Sequence, residues 1–305
     1  MHDHAHAGDR DADRERGARA LRLALLLTAS FTVAELIGGL LTGSLALLAD
    51  AGHMLSDDLS LALALVAISI ARRPPTPQRS FGYGRAEVMA ALLNGLLLVG
   101  VSVAIVWGAV IRLSDPPEVL GGPMLAVALG GVAVNLIAFR LLSRSGGESM
   151  NVAAASLHVL ADLAGSIGAV LAAGVILTTG WQAADPLIAA LIGVLIAASA
   201  FPIVRDSGRV LLEQAPRGVE AGELGHAMAS VRGVAEVHDL HVWSITSGFT
   251  ALAAHVLVRP GEDCHERRRE VERVLRHDFG IEHTTLQVDH AEARELLQIE
   301  GVEGS

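Results

Sequence analysis

The chain has almost no cysteine, no lysine and few aromatics. Cys264 is the one thiol in 305 residues, so no intrachain disulfide is possible and nothing in the sequence demands an oxidising compartment. Aromatic residues make up 3% of the chain and the formal net charge is −10. A basic patch interleaved with aromatics is missing, which argues against a nucleic-acid partner. All the Lys-plus-Arg charge is carried by Arg, which reflects composition rather than function. The stretch Met1–Arg19 contains Asp and Glu and has no short apolar core before a cleavage site. It reads as a polar tail, not as a signal peptide.

What the chain has in excess is apolar residues. It is 51% hydrophobic with a mean hydropathy of +0.47, too apolar for an ordinary soluble domain of this size. The apolar residues are bunched into runs long enough to cross a bilayer, which takes roughly 20 residues per helix. Six windows qualify: Leu21–Leu41, Ser44–Ala71, Ala86–Leu113, Pro123–Leu142, Val152–Thr179 and Ala184–Arg205. Breaks such as Thr42-Gly43, Arg72-Arg73-Pro74-Pro75, Ser145-Gly146-Gly147 and Gly180 to Asp185-Pro186 separate them. Arginines gather before the first window, between the second and third, between the fourth and fifth, and after the sixth. The opposite side has Arg112 alone. The positive-inside rule then places both termini in the cytoplasm.

Past about Arg209 the sequence turns polar and its periodicity changes. Val219–Val231 reads as a short helix, Val234–Ile245 and Thr250–Val258 as strands joined through Ser247-Gly248, Glu262–Phe279 as a charged helix and Glu282–Asp289 as a last strand. The expected fold class is a membrane all-α six-helix bundle followed by a cytoplasmic α+β domain of order αββαβ. The expected organisation is a flexible cytoplasmic tail at 1–19, a six-span transmembrane domain at 20–208, a cytoplasmic metal-binding and dimerisation domain at 209–291, and an acidic tail at 292–305.

Two of the apolar windows carry a His and an Asp four residues apart: His53 with Asp57, and His158 with Asp162. That spacing puts each pair on one helix face. A charged Asp near the centre of a spanning helix costs about 2.5–3.5 kcal/mol on insertion scales, so such residues face a bundle interior and mark ion pathways. Together the pairs offer two imidazole nitrogens and two carboxylate oxygens, a tetrahedral donor set suited to Zn²⁺. The bland alternative is a structural hydrogen-bond network, which two matched pairs in separate spans leave little room for. Ligation needs neutral imidazole and ionised carboxylate, so loading metal releases protons.

Asp50 falls within about 60° of His53 and Asp57 at 100° per residue; it reads either as part of an access path or as a helix-end charge. Asp58 points away from that face, toward a rim or a local contact. Glu35 either lines a hydrated cavity or bonds a neighbouring helix, whereas Asn94 and Asn135 read as interhelical glue. In the polar part, His238 and His255 fall on adjacent expected strands and Asp289 ends a third, so a shared site is geometrically open. Singly, each histidine there, including His241, His265, His277, His283 and His290, reads as a surface residue. The tail residues His2, His4 and His6 are a short terminal tract.

The segments Ser44-Leu-Ala-Leu-Leu-Ala-Asp-Ala-Gly-His-Met-Leu-Ser-Asp57 and Phe81-Gly-Tyr-Gly-Arg-Ala-Glu87, the pair His158 and Asp162, and His238-Asp-Leu-His-Val-Trp243 stand in one order. From about Leu21 to Asp289 the chain resembles the cation diffusion facilitator family, and most closely its zinc-transporting branch. The resemblance implies a homodimer of six-span protomers in the cytoplasmic (inner) membrane, each with a metallochaperone-like cytoplasmic domain, exporting Zn²⁺ in exchange for H⁺. It places the transport site on His53, Asp57, His158 and Asp162, with His at the first position favouring zinc over cadmium. It places a dimer-bridging Zn²⁺ site on His238, His255, His265 and Asp289. Gln287 stands where many members have a further His, and Gln78-Arg79-Ser80-Phe81-Gly82-Tyr83 lacks the Asp and His of a loop site found in some members. A charged lock between protomers maps to Arg85 and Glu213.

The expectation is therefore a proton-coupled antiporter rather than an enzyme, its partners being divalent metal ions, protons, the lipid bilayer and a second copy of itself. Rival readings are export of Co²⁺, Cd²⁺, Mn²⁺ or Fe²⁺, an intramembrane zinc metalloenzyme, and a metal sensor acting through the soluble domain. The enzyme reading wants three protein ligands and an open fourth position, where this chain offers four.

Overall fold

The computed structural model describes residues 4–144, 150–246 and 248–291. The chain forms two compact units, Met1–Val66 with Ala90–Val204, and Ala67–Met89 with Arg205–Ser305. Ser145-Gly146-Gly147, Ser247 and the acidic tail at 292–305 lie outside the described residues.

The first unit is built from the greater part of six helices, α1 (His4–Thr42), α2 (Leu45–Ala71), α3 (Arg85–Ser114), α4 (Gly121–Arg144), α5 (Met150–Thr179) and α6 (Ala184–Leu211), the end of α2, the start of α3 and the end of α6 belonging to the second. All six contain a stretch long and apolar enough to cross a membrane. α1 starts at His4 rather than near residue 20. The helical backbone thus extends back into the stretch expected to be a flexible tail.

Small residues let these helices approach closely. A Cβ on Gly38 would sit 2.8 Å from Val127 of α4, and one on Gly193 would sit 2.9 Å from Val106 of α3. Ala46, Ala49, Ala128, Ala169, Ala172 and Ala173 fill the interior with Leu47, Met124 and Ile192. Large apolar side chains such as Leu26, Leu65, Trp107, Leu171 and Leu195 point outward. An apolar exterior around an interior holding Glu35, Asp50, Asn135 and Asp162 inverts the soluble pattern and suits hydrocarbon solvent.

The second unit holds α7 (Ala221–Ala229), β1 (Val234–Thr246), β2 (Phe249–Val258), α8 (Cys264–Phe279) and β3 (His283–His290), the expected αββαβ order. The strands lie in the order β1-β2-β3, with β1 antiparallel and β3 parallel to β2. Alternation along β2 buries Leu252, Ala254, Val256 and Val258 against Leu224 and Met228 of α7 and Val271 and Leu275 of α8. The other face of the sheet, which carries His255, stays open. Asp263 caps α8 by accepting the N–H groups of His265 and Glu266, and those bonds hold its carboxyl below the usual carboxylate range. Gly280 ends the helix in the left-handed region (φ 67°), which a glycine enters without strain.

Candidate metal centre

Four sequence-predicted donors meet between α2 and α5. Asp57 Oδ2 lies 3.6 Å from His53 Nε2 and 3.4 Å from His158 Nε2, and His158 Nε2 lies 3.8 Å from Asp162 Oδ2. The two rings stand edge to face with centroids 6.2 Å apart. With Zn–N and Zn–O bonds of about 2.0–2.2 Å, neighbouring donors of a tetrahedron lie roughly 3.3–3.5 Å apart. The three separations between these donors lie at or slightly above that range. Among the described residues no group of three or more His, Cys, Asp or Glu stands, as placed, in an arrangement that could hold a metal ion.

The same residues carry polar atoms with nothing to bond. His53 Nδ1, Asp57 Oδ2 and Asp162 Oδ1 are buried without a hydrogen-bond partner. Unsatisfied buried acceptors cost free energy that a cation recovers. Asp162 is 2% exposed while His158 is 48% exposed, so the site has a closed side and an open one. On the open side is a cavity of about 400 Å³ lined by Asp57, Asp58 and His158 with apolar residues such as Leu21, Leu25 and Leu61. Asp58 thus lines that cavity. The one-residue step from Asp57 turns it by about 100°, which still leaves it on the cavity wall.

The neighbouring polar residues sort into two kinds. Asn94 of α3 accepts the hydroxyl of Ser60 of α2, and Asn135 of α4 donates through Nδ2 to Ser166 Oγ of α5 at 3.3 Å, both of them interhelical bonds as expected. Glu35 of α1 and Asp50, in the second turn of α2, are both fully buried.

Asp185 holds the far end of α2, a role the sequence did not suggest. From the start of α6 it accepts Ser44 Oγ at 2.5 Å and the N–H groups of Leu45 and Ala46 at 2.7 and 3.1 Å. It thereby caps α2, the helix that carries His53 and Asp57, with a carboxylate from another helix. Arg112 of α3 lies 4.0 Å from Asp185 Oδ2 and donates to the Gly43 carbonyl at 2.5 Å, completing the clamp.

In the second unit, His238 and His255 are cross-strand partners with ring centroids 5.4 Å apart. Asp239, in the left-handed region (φ 50°) at a break in the β1 register, reaches His241 Nε2 at 3.0 Å and His255 Nε2 at 3.9 Å. The hydrogen bond from His241, then the charges of His241, His255 and His238, hold its carboxyl below the usual range. Asp289 shares the open face on β3, where it accepts Gln287 Nε2 at 2.9 Å, and Gln287 itself pairs with His255. His265 sits at the first turn of α8, and no hydrogen bond or ion pair among the described residues joins its side chain to the His238–His255 pair. Thus His238, His255 and Asp289 share a face, and Asp239 is a neighbour the alternation pattern hid. Arg85 Nη2 and Glu213 Oε1 form an exposed 2.8 Å ion pair inside one chain.

A sequence profile described as the cation efflux transmembrane domain matches residues 21–212, and one described as the cytoplasmic domain of cation efflux proteins matches residues 216–291. The zinc transporter ZitB of Escherichia coli K12 is 40% identical over 291 residues, covering 95% of this chain and 92% of its own. The metal cation efflux protein CzcD of Cupriavidus metallidurans is 41% identical over 294 residues, covering 95% and 90%. The cadmium, cobalt and zinc/H⁺-K⁺ antiporter of Bacillus subtilis is 38% identical over 277 residues, covering 89% and 88%.

Proposed function

The chain belongs to the cation efflux family of membrane transporters, in its zinc branch, and on that premise we propose that it exports Zn²⁺ from the cytoplasm in exchange for protons, binding the ion at His53, Asp57, His158 and Asp162. The observation that carries the reading is the meeting of two carboxylates and two imidazoles at 3.4–3.8 Å inside an apolar bundle, with three of their polar atoms unpaired. Two carboxylates balance the charge of one divalent ion. The nitrogen donors favour a borderline-soft tetrahedral ion over Mn²⁺ or Mg²⁺, which prefer octahedral oxygen shells.

The exchange follows from the donor chemistry. Zn²⁺ binds only when both imidazoles are neutral and both carboxylates ionised, so protons and metal compete for the same lone pairs. Facing the cytoplasm, the site loads metal; facing a more acidic exterior, it takes protons and lets metal go. Only a site exposed to one side at a time couples the two flows, so the helices alternate between inward- and outward-open arrangements. Arginine placement supports cytoplasmic termini in an inner membrane. The second unit then lies in the cytoplasm, where His238, His255 and Asp289 bind zinc and the unit pairs with a second copy.

The test is zinc uptake into proteoliposomes driven by an imposed pH gradient, repeated with Cd²⁺ and Co²⁺, which relatives are named for. The reading predicts gradient-dependent zinc movement that stops when the gradient is collapsed. Zinc movement indifferent to the gradient would contradict it.

A further inference from the structure

The two ends of the helix bundle differ. At one end the cavity of about 400 Å³ reaches Asp57 and His158. At the other end, polar contacts tie the connections between helices to one another. Asp185, at the start of α6 and 0% exposed, accepts Ser44 Oγ and the N–H groups of Leu45 and Ala46. Arg112, in the last turn of α3, lies 4.0 Å from Asp185 Oδ2 and donates to the Gly43 carbonyl between α1 and α2. Gln182, between α5 and α6, accepts the Val119 N–H from the α3–α4 connection at 3.1 Å. The next N–H in that connection, of Leu120, donates to the Thr42 carbonyl of α1 at 3.1 Å. Between this knot and the tetrad, Ala46, Leu47 and Ala49 of α2 are each 0% exposed.

Capping alone does not account for Asp185. Ser44 already caps α2 in the ordinary way, its hydroxyl oxygen accepting the Leu47 N–H at 3.2 Å. Asp185 adds a second set of acceptors from 141 residues along the chain, and so joins helices rather than finishing one. The chemistry also suits a contact that has to break. An apolar plug opened to water loses the burial that held it. A carboxylate and a guanidinium regain hydration as they part, which offsets much of the attraction lost. The Arg112 side chain is 28% exposed while that of Asp185 is 0% exposed, so water reaches the pair from the arginine side.

We propose that Asp185 and Arg112 form the outer gate of the transport path. Their contact holds the bundle shut at this end while the tetrad loads from the cavity, and it parts when the tetrad discharges. Neither residue binds zinc; together they fix which side of the tetrad is open. The gate rests on the transport reading, which requires one end to be closed while the other is open.

The first test uses the unaltered chain in proteoliposomes. Amide exchange at Leu45 and Ala46, the two N–H groups that Asp185 holds, should be faster during gradient-driven zinc transport than in zinc-free vesicles. A merely structural cap would stay closed, and equal exchange in the two conditions would overturn the proposal. The second test labels Ala49→Cys, in a Cys264→Ser background, with a membrane-impermeant thiol reagent added outside intact cells. Arg112→Gln should speed this labelling about tenfold, as the loss of one charge-assisted contact implies, and Arg112→Lys, which keeps the charge, should restore slow labelling. Labelling unchanged by Arg112→Gln would contradict the gate. So would an equal rise at Ala138→Cys, buried in α4, which would mean general loosening of the bundle. Failure of the transport reading shows separately, as an unaltered chain that moves no zinc under a pH gradient.

Discussion

His158 Nε2 lies closer to Asp57 Oδ2 of the neighbouring helix, at 3.4 Å, than to Asp162 Oδ2 of its own, at 3.8 Å. Asp57 therefore sits at the centre of the seam between α2 and α5 with both imidazoles in reach. Losing Asp57 removes the residue that joins the two pairs.

Asp57→Ala and Asp162→Ala are expected to lower zinc affinity at the membrane site by at least about 100-fold, about 2.8 kcal/mol, and to abolish gradient-driven transport in a protein that still folds. Isothermal titration with a matched transport assay checks both. His53→Asp, which swaps an imidazole for a charged oxygen donor, should raise Cd²⁺ transport relative to Zn²⁺ in the same vesicles.

Zinc affinity at the membrane site should fall steeply between about pH 7 and pH 6, because free histidine side chains titrate near 6.5 and the protonated ring cannot ligate. Zinc titrations at stepped pH read this directly. A flat profile would point to an uncoupled route.

The Asp185 clamp predicts a different phenotype from the ligands. Asp185→Ala strips three hydrogen bonds from the start of α2, where a lost cap typically costs about 0.5–2 kcal/mol. Thermal melting of the solubilised protein should drop by several degrees, and Asp185→Asn, which keeps one acceptor, should fall between. Zinc affinity should change less than tenfold, since every donor remains.

In the second unit, His238→Ala should remove bound zinc, because His238 stands ring-to-ring with His255. Zinc counted by mass spectrometry of the intact chain in a Asp57→Ala background isolates this site. The cap at Asp263 adds a pH signature. Its carboxyl is held low in the folded state, so its support of α8 is complete above the ordinary carboxylate value of 3.8 and fades as pH falls through the depressed one. Amide exchange in the first turn of α8 should then be faster in Asp263→Ala than in the parent protein at neutral pH, with the difference closing in strong acid.

The tetrad was legible because helix periodicity turns a spacing of four into a shared face, and because ionisable groups in apolar runs have few other reasons to exist. The αββαβ order was legible from alternation in Leu252, Ala254, Val256 and Val258. Contacts made across the chain were not. Asp185 reaches Ser44 over a separation of 141 residues, and in sequence it looked like a turn signal beside Pro186. Glu35 and Asp50 each read as ambiguous single charges, and only the packing of the helices shows both to be buried. Asp239 was obscured because a register break in β1 carries it out of simple alternation.

The central claim is that two imidazoles and two carboxylates hold the transported ion. Zinc K-edge X-ray absorption measures it most directly, on the full chain with His238→Ala and Asp289→Ala introduced so that signal comes from the membrane site. The account predicts a four-coordinate nitrogen and oxygen shell at about 2.0–2.2 Å, with the outer-shell scattering of two imidazoles. A six-coordinate oxygen shell, or zinc that stays bound with the same spectrum in Asp57→Ala, would contradict it.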